Sequence, residues 1–500
     1  MPRLIEELPL VSLKINYSSD VPLYKQLYDT FRQSILDGRF IPGQKLPGTR
    51  AIAAELKISR NTVTLAFEQL LIEGYIKGKI GAGTFVNEIP DNVLNVKENV
   101  KRKKSGRKVK TNLISQLGSP ELIHRNILNE EIIPFQNGVP SLDEFPIRTW
   151  LKLNNQTSQV LSSSHLGYGD AAGYKTLREE IASYLRTYRA VNCSADQIII
   201  VNGSQQGLDL IMRVLLKPGD SVWHEDPGYF GARASMLFAG AKILPSPLDK
   251  EGLNVDYSSK KYPSPKLIYT TPSHQFPIGM TMSISRRIQL LQYASKNNCL
   301  IIEDDYDSEF RYSGSPLPSL QGMDKNNCVL YLGTFSKVLF PALRLGYLVL
   351  PDPQMLEVFV SAKSMMDRQS PMFEQMITAQ FLKKGYFTRH IRKMRTLYKD
   401  RQEFLITEMK KELGDLIKVN KSDAGMHIIA WLKENMDSNI ISRIARENNL
   451  IAYPISEYVL KFKQKPALLL GYTAFDKKKI KEGVQKLKKV LAEYSINKTQ

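Results

Sequence analysis

Lys337 sits in YLGTFSKVLFPALRLGY, directly after the strand-like run VLYLGTF. That position is the C-terminal edge of an α/β sheet, where such folds bind ligands. In a partly desolvated pocket a lysine loses basicity and becomes a nucleophile. A lone lysine in a basic chain is ordinarily a solvated surface group, so the neighbouring residues carry the case. Thr334, Ser336 and Arg344 flank Lys337 with hydroxyl and guanidinium donors suited to phosphate. Asp304 ends the apolar run of CLIIEDDYD, 33 residues before the lysine. A buried aspartate is costly unless a cation pairs with it, and a protonated pyridine nitrogen is such a cation. Tyr306, two residues on, offers a hydroxyl to a phenolic oxygen. An acidic loop or a Mg²⁺ site is the competing reading of EDDYD, and its neighbours weigh against it.

VNGSQQGLDLIMRVLL reads as strand, glycine turn and helix, so Ser204 and Gln205 place backbone N–H groups at a helix N-terminus, a favourable anion site. Tyr229 in EDPGYFGAR is placed to stack on a ring, and Arg233 in the same stretch is a candidate anion contact for a ligand. His274, in the turn TPSHQFPIG, is a candidate for the ring oxygen, although a loop histidine satisfied by its surroundings is the commoner case. A nucleophilic lysine, a carboxylate for a pyridine nitrogen, a phosphate cup and a stacking wall are together what pyridoxal 5'-phosphate (PLP) requires.

The elements that must hold these groups follow from the pattern. QIIIVNG, SVWHED, KLIYTTP, CLIIEDD and CVLYLGTF are near-continuous apolar runs, each followed by a turn and a helix-like stretch. Runs of this kind are strands buried on both faces, and their alternation with helices predicts a mainly parallel α/β sheet. No internal repeat is visible.

The N-terminal part has another logic. PLYKQLYDTFRQSILDGRF places Leu23, Leu27, Phe31 and Ile35 on one helix face. After PGQKLPGTR, a short helix TRAIAAELKIS and a longer one, SRNTVTLAFEQLLIEGYI with Ser59 as N-cap, form a helix–turn–helix. The second helix would enter the major groove by its N-terminal end, where Arg60, Asn61, Thr62 and Thr64 can reach phosphates or base edges. IKGKIGAGTFV then makes two short strands, a wing. Its glycines loosely mimic a phosphate-binding loop but lack the strand and helix flanks of one.

Five hundred residues exceed one hydrophobic core, so two or three domains are expected. We expect residues 1–89 to be the DNA-binding unit, 90–130 a basic flexible linker and 131–495 the PLP-binding domain. The net charge of +19 is unevenly spread, for residues 1–89 carry only +2 while 90–112, including KRKKSGRKVK, carry +6. Such a run is usually a solvated tether, and near DNA it adds sequence-independent phosphate contacts. Cys193, Cys299 and Cys328 show no CxxC spacing and the six histidines are scattered, so neither a disulfide framework nor a metal site is expected. No apolar run approaches the roughly 18 residues of a membrane helix and MPRLIEELPL lacks a signal-like apolar region, so a cytoplasmic protein without membrane contact is expected.

Two resemblances join these halves. LPGTRAIAAELKISRNTVTLAFEQLLIEGYIKGKIGAGTFV resembles the winged helix of GntR-type bacterial regulators. That resemblance implies that Arg50, Arg60 and Thr62 contact operator DNA, with the wing near Lys79 and Gly81 approaching the backbone or minor groove. A winged helix used for protein contacts is the alternative. Residues 131–495 resemble fold-type-I PLP enzymes of the aspartate aminotransferase group. SHQFPxG, DDYDSEFRY and GTFSKxLxPxLRLGY look like the MocR subgroup of GntR regulators, which fuses the two modules. The family implies a multidomain chain: a winged helix–turn–helix, then an α/β fold-type-I domain with a mainly parallel sheet and a smaller C-terminal α+β part. It also implies cofactor attachment at Lys337, pyridinium pairing at Asp304, contact with the phenolic oxygen by Tyr306, and head-to-tail dimers with swapped winged helices. Tyr168 in LGYGDAAGYKTLREEIA resembles the tyrosine that reaches the phosphate of the neighbouring subunit.

One departure matters. Aminotransferases of this group clamp the substrate carboxylate with an arginine in a stretch reading roughly RLxF, and here PALLLGYTAF puts Leu469 at that place. A leucine cannot make the bidentate pair. The leading expectation is a transcription regulator whose PLP domain senses an amine, an amino acid or PLP itself. A working aminotransferase with an appended DNA-binding domain, and a PLP domain serving only as a dimerisation scaffold, are the alternatives.

Overall fold

Leu27, Phe31 and Ile35 recur every four residues, and in the computed structural model, which describes residues 15–79, 81–88, 132–314 and 318–499, they form the buried face of α1 (Leu23–Leu36). The chain divides into two units, Met1–Lys110 and Thr111–Gln500. The stretch 90–130 expected to be a linker lies wholly outside the described residues.

In the first unit α3 (Arg60–Ile72) packs on both α1 and α2 (Thr49–Glu55) around a core containing Phe31, Ile52, Val63, Phe67 and Leu70. Phe31 stacks on Phe40 at 5.5 Å between ring centroids and meets Phe67 edge-on at 5.3 Å. Ser59 caps α3, its Oγ accepting from the Thr62 amide at 3.1 Å. β1 (Ile76–Lys79) and β2 (Gly83–Val86) pair antiparallel with Ile76 opposite Val86, and both end residues face the core. Gly81, at φ +75°, makes the turn between them.

The second unit is built on an eight-stranded sheet. Its strands are β3 (Ile198–Val201), β4 (Ser221–Asp226), β5 (Lys242–Asp249), β6 (Gly252–Leu253), β7 (Leu267–Thr270), β8 (Leu300–Asp305), β9 (Val329–Thr334) and β10 (Gly346–Val349). They lie in the order β3-β10-β9-β8-β7-β4-β5-β6. The five strands from β9 to β5 run parallel, while β10 is antiparallel to both its neighbours and β6 is antiparallel to β5. The sheet is thus mainly parallel, and its strands read as unbroken apolar runs because both faces are covered. In β3, Ile199 and Val201 point into a core under helices Ser204–Leu215 and Leu356–Asp367, whereas Ile198 and Ile200 point into the opposite one. That larger core takes Leu177 and Leu185 from helix Lys175–Arg189 and Met394, Tyr398 and Leu405 from helix Tyr386–Leu413.

A smaller antiparallel sheet closes the unit. It consists of β11 (Ile417–Val419), β12 (His427–Leu432), β13 (Tyr453–Pro454) and β14 (Ala467–Gly471) in the order β11-β12-β14-β13, accompanied by helices Ser438–Glu447 and Lys477–Thr499. This is the expected C-terminal α+β part. No helix among the described residues is long and apolar enough to cross a membrane.

Candidate functional site

The C-terminal ends of the parallel strands β4, β7, β8 and β9 converge on one cavity of about 470 Å³. Lys337, Asp304, Tyr306, Ser204, Gln205 and Tyr229 all line it, although they come from four separate stretches of chain.

Asp304 is the penultimate residue of β8 and its side chain is buried. Oδ2 accepts the Tyr269 hydroxyl at 2.8 Å, and Oδ1 is buried without a hydrogen-bond partner. Burial, with the charges of Asp305, Glu225 and Asp307 adding to it against the Tyr269 hydrogen bond, pushes the carboxyl up to about 7. A buried acceptor left open in this way calls for a cationic donor.

Lys337 follows β9 after a short turn. Its Nζ donates to the carbonyl of Gly138 at 2.9 Å. Burial lowers its pKa, assisted by the charge of Arg344 and opposed by Asp307 and Asp304, which favours the neutral, nucleophilic amine. Gly138 has φ +73°, and a Cβ there would lie 2.6 Å from the lysine Nζ, so the position favours glycine and any larger residue would displace the amine.

The anion cup forms around the start of helix Ser204–Leu215, which follows Gly203 at φ +85°. Arg344, itself at φ +51°, reaches back to donate to the Asn202 carbonyl at 3.0 Å. The Ser336 amide donates to Thr334 Oγ1 at 3.1 Å, and Ser336 Oγ and Asn202 Oδ1 are buried without partners. Open helix amides, a guanidinium and uncommitted polar side chains fit a phosphate group.

Aromatic rings continue the wall. Tyr229 meets Phe276 edge-on at 5.7 Å, and Phe276 in turn meets Tyr306 at 5.9 Å and Tyr458 at 5.2 Å. Burial raises the Tyr229 phenol to about 12 and the Tyr306 phenol well above its ordinary value.

Three sequence expectations change. His274, expected against the ring oxygen, lies behind Tyr306: its Nδ1 is 2.9 Å from the Tyr306 hydroxyl and 3.0 Å from Asp307 Oδ2. It is not part of the lining and orients the phenol from behind, its Nδ1 shared between the Tyr306 hydroxyl and the Asp307 carboxylate. Arg233, expected as a ligand anion contact, lies with its guanidinium 4.7 Å from the centre of the Phe230 ring and is not part of the lining. The histidines scattered along the sequence are partly gathered by folding. Among the described residues His274, Asp307 and His427 bring one ligand atom each within 4.8 Å of one another, with His427 Nε2 held 2.9 Å from the Pro277 carbonyl.

Tyr168 is 86 % exposed and carries the Arg368 guanidinium 5.4 Å from its ring centre. Leu469 is fully buried on β14 in an apolar cluster with Ile429, Ile455 and the neighbouring Phe276 and Tyr458.

Sequence reasoning missed Asn137, Gly138, Tyr269, Phe276, Met426, Tyr453, Glu457 and Tyr458 in the lining. Tyr269 looked like core within an apolar strand, and the others belong to loops or to the small sheet, whose approach to β8 leaves no local periodicity.

In the first unit the side chains of Arg50, Arg60 and Asn61 are exposed at the starts of α2 and α3. Thr62 and Thr64, expected to reach DNA, have their hydroxyls engaged on the helix: Thr62 Oγ1 lies 2.8 Å from Ser59 Oγ, and Thr64 donates to the Arg60 carbonyl at 3.0 Å. Lys79 flanks the wing turn at Gly81, its Nζ 5.4 Å from the centre of the Phe85 ring.

Comparison with known proteins agrees with this geometry. Residues 130–487 match the class I and II aminotransferase family, and residues 23–86 match the gntR family of bacterial regulatory proteins. The chain is 36 % identical over 485 residues to the probable rhizopine catabolism regulatory protein MocR of Rhizobium meliloti, covering 95 % of each chain. It is 29 % identical over 452 residues to the pyridoxine biosynthesis transcriptional regulator PdxR of Corynebacterium glutamicum, covering 90 % of this chain and 91 % of that one. Among solved structures, the α-aminoadipate aminotransferase LysN of Thermus thermophilus, complexed with N-(5'-phosphopyridoxyl)-L-leucine, superposes with a TM-score of 0.70 at 27 % identity, covering 77 % of this chain and 97 % of that one.

Proposed function

The chain belongs to the GntR-type transcriptional regulators that carry a PLP-dependent class I and II aminotransferase domain, and from that premise we propose that its PLP site senses a small amine and sets the affinity of its winged helices for operator DNA. The observation that carries the cofactor assignment is the open, buried Asp304 Oδ1 in the same cavity as Lys337. Asp304 would hold the protonated pyridine nitrogen, Tyr306 the phenolic oxygen, and Ser204, Gln205, Ser336, Thr334 and Arg344 the phosphate, with Tyr229 against the ring. PLP supplies an electrophilic aldehyde and an electron-withdrawing ring. Lys337 supplies the amine for attachment, and its burial shifts that amine toward the deprotonated form. His274 and Asp307 fix the direction of the Tyr306 hydroxyl.

DNA recognition rests with α3 and the wing. Arg60 and Asn61 address base edges or phosphates, while Arg50 and Lys79 supply phosphate contacts. The unit's near-neutral balance means that affinity depends on these placed side chains more than on bulk charge. The domain plan is a winged helix over 1–89, a linker over 90–130 and the PLP domain over 131–495. A head-to-tail dimer with exchanged winged helices suits the exposed Tyr168, which lies with Leu166 beside the segment of Met365 and Arg368, a surface rich in uncovered apolar side chains. Ligand binding changes operator affinity only if the ligand prefers one arrangement of the two subunits.

The test combines absorption with DNA binding. Purified full-length chain carries a visible cofactor band that Lys337→Ala abolishes, and an amine that perturbs the band also changes affinity for an operator duplex obtained by in vitro selection. Stoichiometric release of an oxo acid would instead establish a working aminotransferase. Absence of any band would leave the domain as a scaffold.

A further inference from the structure

The cavity has a second wall, contributed by the small sheet. After β13 a 3₁₀ turn, Ile455–Tyr458, brings Glu457 and Tyr458 into the lining next to Tyr453. This wall is firmly tied to the main sheet. The Asp226 carboxylate at the end of β4 accepts the backbone amides of Leu460, Lys461 and Phe462 at 2.7, 2.6 and 2.9 Å, and the Gly228 amide donates to the Tyr458 carbonyl at 3.1 Å. The edge-on contacts of Phe276 with Tyr306 and Tyr458 run from the cofactor groups to this turn, and Glu457 lines the same cavity as Lys337.

The charges along that path are unusual for an amino-acid site. Among the described residues, Lys337 is the sole lysine or arginine of the lining, and Leu469 and Arg233 are committed to apolar packing and to Phe230. A carboxylate or phosphate at the ligand's far end would find no guanidinium and would face the like charge of Glu457 in a partly desolvated space. An ammonium or hydroxyl end would find a carboxylate acceptor and two phenols.

We propose that the effector is a primary amine without a carboxylate, whose far end bears an ammonium or hydroxyl group recognised by Glu457. This deepens the sensor reading and rests on it.

Three isosteric amines separate the possibilities. Cofactor-loaded full-length chain is titrated with 1,4-diaminobutane, 4-amino-1-butanol and 4-aminobutanoate while the visible band is followed. The half-saturating concentration of the diamine is expected to be at least tenfold below that of 4-aminobutanoate, with the amino alcohol between them. Glu457→Gln should erase the diamine's advantage over the amino alcohol, and Glu457→Arg should reverse the order in favour of 4-aminobutanoate, both variants keeping the band. The inference is overturned if 4-aminobutanoate equals or beats the diamine, if an intact band answers none of the three, or if both variants keep the wild-type order. A chain with no cofactor band at all overturns the sensor reading as well, which distinguishes the two failures.

Discussion

The two functional surfaces of this chain solve opposite problems. At the start of α3, Arg60 and Asn61 are solvated, and the cap beneath them is satisfied by Ser59, so the surface exists complete without its partner. In the cavity, Asp304 Oδ1, Ser336 Oγ and Asn202 Oδ1 are buried without a partner from the chain, an arrangement that a bound cofactor would complete. An exposed recognition site is cheap to hold and is limited by affinity. A buried one is costly to hold and is completed by its ligand, so cofactor binding and stability are coupled there.

Asp304→Asn tests the costly side and carries the largest expected effect. Asp304 rises to about 7 in the folded chain from an ordinary value of 3.8. The cofactor-free chain therefore holds an extra proton between those values, and its stability falls as pH rises from about 4 through 7, by about 4 kcal/mol for this group. Glu309, also raised to about 7, acts in the same direction, so the difference between wild type and variant isolates Asp304. Denaturant titrations followed by tryptophan fluorescence suffice, because Trp150, Trp223 and Trp431 all lie in the second unit. The pH slope of the variant should be shallower and its cofactor affinity lower. An unchanged slope would mean that the open carboxylate costs nothing.

On the other side, Arg60→Ala should cost about 1–3 kcal/mol of operator affinity, with no change in melting of the unit. Anisotropy titrations at two salt concentrations separate a base contact from a phosphate contact, since only loss of the latter flattens the salt dependence. Ser59→Ala is the smallest and cuts the other way, costing about 1 kcal/mol of stability through the lost cap of α3. If it weakened DNA binding as strongly as Arg60→Ala, the contrast between a preformed surface and a ligand-completed one would fail.

The sequence made much of the main sheet legible. Asp304 stands near the end of one apolar strand and Lys337 shortly after another, and strand ends are where such sheets expose chemistry. The winged helix was legible because its signals are local: a four-residue apolar spacing, a Ser59 cap and a glycine turn. What could not be read was whatever depends on chain segments meeting from far apart. Tyr269 is chemically distinguished only once Asp304 stands beside it, and Gly138 only once Lys337 reaches it. His274 was assigned to the right site but the wrong layer, because nothing in SHQFPIG tells that Tyr306 would stand in front of it. Arg233 carried a plausible charge, and only folding showed that charge laid on Phe230.

The attachment of the 460–462 segment to Asp226 has a consequence for how such a protein diversifies. Three main-chain amides make the connection, so this link does not depend on which side chains residues 460–462 carry. On the proposed reading of Glu457, single substitutions at position 457 change the ligand preference while this main-chain link stays in place. A lineage of regulators can inherit one chassis and retune the signal to which each member listens.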